Sequence, residues 1–150
     1  MAKSARENSS RRGRIRAILR QVLAAIYAIA GVLHLVRPEP FLSIMPGWGP
    51  QPEAIVLLTG VAEILGAIAL AQPWSRDLRR AGAVGLAFYA VCVFPANINH
   101  FALDMARANA GETGGLGLGY HVPRMFAQPV LVWLALWVGG VTDWPWRRRT

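Results

Sequence analysis

Among 150 residues the chain has a single cysteine, Cys92. Without a second thiol there is no CxxC pair, so dithiol exchange and a cysteine-based metal site are excluded. Cys92 lies inside an apolar run and reads as a small buried hydrophobe. Charge is also scarce. Asp, Glu, Lys and Arg make up 16%, against about 25% in an average soluble chain. There is no glycine-rich phosphate loop. No Ser, His and carboxylate set falls together beside an evident oxyanion site. A soluble catalytic apparatus is therefore not expected, and the length allows one domain.

What the chain has in excess is apolar length. Hydrophobic residues reach 54%, concentrated at 17–36, 54–71, 81–103 and 122–141. A helix needs about 20 residues to cross the hydrocarbon core. Barrel strands would be about half as long and would alternate. The fold class expected is all-α, an integral membrane four-helix bundle over 17–143. Pro38, Pro40, Pro46, Pro50 and Pro52 make the first loop irregular. A short polar turn spans 72–80. The stretch 104–119 is rich in glycine and reads as a mobile loop.

The net charge of +8 raises the question of nucleic acid. Such a partner needs a basic face on a soluble fold, and none is expected here, because the basic residues sit between apolar stretches. Thirteen of the sixteen fall on one side of a four-pass chain. They are Lys3, Arg6, Arg11, Arg12, Arg14, Arg16, Arg20, Arg76, Arg79, Arg80, Arg147, Arg148 and Arg149. The other side holds Arg37, Arg107 and Arg124. Basic residues mark the cytoplasmic side, so both termini are expected inside. Trp74, Trp144 and Trp146 suit the inner interface, and Trp48 the outer one. The tail 1–16 reads as disordered, and it and the basic 144–150 as attracted to anionic lipid headgroups. The basic tail before an apolar run ending in Ala28-Ile29-Ala30 has the look of a signal peptide. The run continues to Val36, however, and the charge bias needs it as a span.

Polar side chains within spans are costly and face a bundle interior or mark a site. Each span carries some: His34 and Tyr27 in the first, Glu63 and Thr59 in the second, Asn97, Asn99 and His100 in the third. The fourth has Arg124 and Gln128, with Tyr120 on the same stripe. At about 1.5 Å per residue Glu63 falls about 15 Å deep, and the others lie in the outer half. His34, Glu63, Asn97, Arg124 and Gln128 form the expected cluster; Tyr27, Thr59, His100 and Tyr120 are additional candidates. Pro123 suits the first turn of the last helix. Pro95 should break the third helix and free a carbonyl near Val91. Two readings of the cluster stand. It is a binding pocket, or it is an interhelical Glu63–Arg124 ion pair with hydrogen-bonding neighbours. Gly60, Ala62, Gly66, Ala81 and Gly85 would let helices approach beside it.

Four segments carry a resemblance: Gly31-Val32-Leu33-His34-Leu35 with Arg37-Pro38-Glu39-Pro40-Phe41; Gly60-Val61-Ala62-Glu63-Ile64-Leu65-Gly66; Val93-Phe94-Pro95-Ala96-Asn97-Ile98; and Arg124 with Gln128-Pro129. In this order they resemble the DoxX-like family of small bacterial four-helix membrane proteins, over about residues 20–142. A founding relative is the membrane subunit of a thiosulfate:quinone oxidoreductase. The resemblance implies a multi-pass protein of the bacterial inner membrane that serves a redox or respiratory system, not catalytic alone. A quinone is the ligand this brings to the cluster, and redox-complex subunits the partners. Two alternatives are a scaffold or assembly factor whose polar cluster is structural, and a metal or haem protein using His34, His100 and His121 with Glu63. No metal is expected, since His121 falls at a loop end and His100 near the headgroups.

Overall fold

The computed structural model describes residues 2–145, and its elements are all helical. They are α1 (Ala2–Val36), α2 (Glu39–Leu42), α3 (Pro52–Ala71), α4 (Arg76–Cys92), α5 (Phe94–Asn109) and α6 (Leu118–Gly139). Trp146, Arg147, Arg148 and Arg149, expected to form the basic C-terminus, lie outside the described residues. Four stretches among those described are long and apolar enough to cross a membrane: Ser10–Val36, Pro52–Ala71, Arg76–Asn109 and Leu118–Gly139. Large apolar side chains face outward along them, among them Ile18, Ile29, Leu58, Leu65, Phe88 and Phe126.

The helices pack in a ring: α1 on α3, α3 on α4, α4 on α6, and α6 back on α1. Leu23, Leu70, Leu86, Ala135 and Val138 fill the centre of one half. Small residues set the approach of each pair. A Cβ added at Gly60 would lie 2.8 Å from the Cβ of His34, and one at Gly31 would lie 2.6 Å from the Gly60 carbonyl oxygen. The α1–α3 crossing is therefore a glycine-on-glycine contact. Gly66 similarly makes room for Leu86, and Gly82 for Ala69. Gly85, expected to help, has open space around it.

At one end the chain is tied by its own cations. Arg16 donates from Nε to the Trp137 carbonyl at 2.6 Å and from Nη2 to the Thr142 carbonyl at 3.1 Å. Its Nη1 pairs with Asp143 at 2.8 Å. The Trp137 carbonyl, in the last turn of α6, thus accepts from α1 as well as from the Gly140 N–H. Ser75 caps α4 by accepting from the Leu78 N–H at 3.2 Å, and Gln72 closes the turn before it through Ser75.

Several boundaries differ from expectation. Helix α1 starts at Ala2, so the tail read as disordered is helical in the structure; nothing in it breaks a helix except Gly13. Helix α5 continues to Asn109, because Met105 to Asn109 contains no breaker and glycine arrives only at Gly111. The expected 104–119 loop thus shrinks to 110–117. Helix α6 starts at Leu118, which places Pro123 inside it and not in its first turn. Cys92, expected to be buried, is exposed at the end of α4.

Candidate functional site

The third span is broken at Val93, between α4 and α5. Pro95 lacks the N–H that would continue the ladder. The carbonyl captured from another helix is that of Ala90, one residue before the position expected from Pro95. It accepts a hydrogen bond from Gln128 Nε2 on α6. Gln128 Oε1 accepts in turn from Asn97 Nδ2 at 3.2 Å. Asn97 Oδ1 accepts from Arg124 Nη2 at 2.6 Å. One chain of bonds thus sews the break to α6.

Beside the break lies a cavity of about 500 Å³. Its walls come from all four spans, and residues 41–50 cover one side. His34, Glu63, Asn97, Arg124 and Gln128 all line it, with Tyr27 and Thr59. His100 and Tyr120 do not line it; they hold Arg124 from behind. Arg124 Nη1 contacts His100 Nδ1 at 2.8 Å, and its guanidinium lies 5.6 Å from the Tyr120 ring centre. Thr59 donates to the Val56 carbonyl of its own helix at 2.9 Å.

The Glu63–Arg124 ion pair, one of the two readings of the cluster, does not form. Glu63, only 3% exposed, faces His34 instead, with Nδ1 to Oε2 at 3.0 Å. The Gly31–Gly60 crossing brings these two helices so close that His34 reaches the carboxylate first. His34 Nδ1 also lies 2.9 Å from the Ala30 carbonyl oxygen. A carbonyl only accepts, so Nδ1 carries a proton. That proton is directed at Ala30, which leaves Glu63 Oε2 in contact with the ring yet without a hydrogen bond. Phe41 stacks on His34 at 3.6 Å between ring centres. The Tyr27 ring meets Tyr89 edge-on, and both line the cavity beside Glu63. The buried Tyr27 hydroxyl has no partner either. Buried polar atoms without a hydrogen bond, in a cavity with mostly apolar walls, are costly unless something fills it.

A second cluster lies behind Arg124. Asp104 Oδ2 accepts from the Leu116 N–H at 2.8 Å and meets His121 Nε2 at 3.0 Å and His100 Nε2 at 3.3 Å. Its Oδ1 pairs with Arg107 Nη1 at 3.1 Å. His121 is fully buried and Asp104 is 2% exposed. Arginine only donates, so His100 Nδ1 accepts from Arg124 and its Nε2 carries the proton toward Asp104. Among the described residues, the one group of three or more side chains able to hold a metal is His100, Asp104 and His121. It excludes His34 and Glu63, which belonged to the alternative metal reading of the sequence.

Sequence reasoning missed Phe41, Tyr89, Asp104 and Arg107 as site residues. Asp104 had a legible signal: it stands four residues after His100, on one helix face. It was hidden by placing the helix end before it. For Tyr89 and Phe41, aromatic residues in apolar surroundings, the sequence carries no signal.

A family model described as Domain of unknown function (DUF8561) matches residues 23–139, and the chain belongs to this family. No curated protein and no solved structure matches it. The matched segment begins inside α1 and ends with α6, so it contains every residue of both clusters.

Proposed function

We propose that this DUF8561 protein is a multi-pass protein of the bacterial cytoplasmic membrane, DoxX-like, that binds an apolar ligand with a polar head in the cavity beside Glu63. The ligand class is a quinone, and the protein serves a redox or respiratory system as a subunit or accessory. The observation that carries this is the buried Tyr27 hydroxyl without a hydrogen bond, beside a buried Glu63 whose Oε2 has only His34 Nδ1 at 3.0 Å, in a cavity of about 500 Å³. Pockets for small organic ligands span about 300–1,000 Å³ and combine apolar walls with a few convergent polar groups. The Tyr27 hydroxyl and Arg124 supply donors for a carbonyl oxygen. Glu63, with His34 beside it, is the group able to hold a proton at the ligand's edge. Both termini lie in the cytoplasm on this reading, which the excess of Lys and Arg at that end supports. Basic residues there meet anionic lipid headgroups.

The test is to purify the protein in mild detergent, extract it with organic solvent and identify the lipids that come with it. A quinone in stoichiometric amount, lost in Glu63→Gln or Tyr27→Phe with the fold intact, is the expected result. A second reading also has an observation behind it. Gln128 is already spent on the Ala90 carbonyl, and Asn97 on Gln128 and Arg124, as in a scaffold whose polar residues hold the bundle. Extracts free of quinone, with Glu63→Ala less stable than the parent, favour that reading.

A further inference from the structure

The Asp104 cluster is separate from the cavity and is not used by the proposed function. Its geometry is unusual for a hydrogen-bonded anchor. Three nitrogen atoms converge on the single oxygen Oδ2, within 3.3 Å, while Oδ1 has Arg107. A carboxylate oxygen has two lone pairs, so one of the three is in excess. The two imidazoles reach it from different helices, His100 from α5 and His121 from the first turn of α6, and both present Nε2.

We propose that His100 Nε2, His121 Nε2 and Asp104 Oδ2 are the ligands of a divalent first-row transition metal ion, of the Zn²⁺ or Fe²⁺ class. Such ions bind nitrogen and oxygen at about 2.0–2.2 Å, which sets neighbouring ligand atoms about 3.0–3.5 Å apart. The 3.0 Å and 3.3 Å separations are edges of that size, and the three ligand atoms all lie within 4.8 Å of one another. Two imidazoles and one carboxylate suit zinc or non-haem iron and leave further positions for water or a substrate. The glycine-rich 110–117 segment crosses the carboxylate through the Leu116 N–H, and Gly115 packs against Asp104 without a side chain. Two cations flank the site, Arg107 on Oδ1 and Arg124 on His100 Nδ1. When His100 ligates through Nε2, Nδ1 takes the proton and Arg124 releases it. The guanidinium keeps its bond to Asn97 and turns a donor toward the cavity it lines.

The experiment uses the full chain in detergent, untagged, stripped with chelator and titrated with Co²⁺. The expected result is one ion per chain with visible d–d bands, competed by Zn²⁺. Asp104→Asn and His121→Gln each weaken binding by a factor of about 100 or more, as loss of a first ligand exceeds the 10–100-fold of an outer partner. His34→Gln, in the other cluster, leaves it unchanged. Should those variants not fold, Cu²⁺ bound to the parent protein gives the answer, because its electron paramagnetic spectrum counts nitrogen ligands. Two imidazole nitrogens support the site. No bound ion, equal binding in His121→Gln, or a spectrum without nitrogen overturns it. None of these readouts depends on a ligand in the Glu63 cavity, so the two proposals fail separately.

Discussion

At the scale of single residues, Glu63 was legible because a carboxylate within an apolar run has few reasons to be there. Its partner was not. Choosing between His34 and Arg124 depends on which helices are neighbours and how closely they cross, and the sequence shows neither. The answer lies in two residues without side chains. At Gly60 an added methyl would come within 2.8 Å of the His34 Cβ and 3.0 Å of the Gly31 carbonyl oxygen. Neither can retreat while α1 stays on α3. Gly60→Ala should therefore cost about 1–3 kcal/mol, the range for overpacking a closed contact. It should also part His34 from Glu63. Thermal unfolding in detergent gives the first effect, and the His34 imidazole resonance gives the second. By contrast Gly85→Ala, with nothing within 4 Å, should be silent or slightly stabilising through helix propensity. Arg124→Gln is the residue-scale test of the metal proposal. It removes a cation from His100 Nδ1 and should tighten Co²⁺ binding, read in the same titration.

At the scale of elements, Pro95 announced the break in the third span, and the structure places it at Val93. What the proline could not announce was the remedy. Gln128 belongs to another helix, and its bond to the Ala90 carbonyl depends on the depth at which α6 packs. Gln128→Ala should leave that buried carbonyl unsatisfied, at a cost of about 1–3 kcal/mol. Pro95→Ala restores a donor for the Val91 carbonyl, and a helix continuous there returns the Phe94 N–H to the Ala90 carbonyl. The double variant should then cost less than the sum of the two single ones, since the break and its remedy act as one unit. Additive costs would show that Gln128 does not serve the break. The end of α5 was misread for a simpler reason. Glycine-rich composition marks a loop but does not say where it begins, and Asp104 stood seven residues before Gly111. Moving a helix end by two turns hid an i, i+4 pair with His100, and with it the second cluster.

At the scale of the whole molecule, four apolar stretches in the sequence are four membrane-length helices in the structure. Their pairing in a ring was not readable, because every helix is apolar and small residues occur on most faces. The orientation rests on charge. Arg16 and Arg80 both reach the end of α6, at Trp137 and Gly140, so the N-terminal basic segment, the 72–75 turn and the end of α6 share one end of the bundle. That end carries the excess of cations, and the 110–117 segment lies at the other. The proposed topology, with the basic end in the cytoplasm, is argued from the cost of moving those cations across a membrane. In a Cys92→Ser background, Thr113→Cys should react with a membrane-impermeant maleimide added to intact cells, and Ser10→Cys should react only after the cells are opened. The reverse pattern would invert the topology and put the Asp104 cluster on the cytoplasmic side, where its metal would be drawn from the cell's own pool. Labelling of both sites in intact cells would mean that the four helices do not fix a single orientation at all.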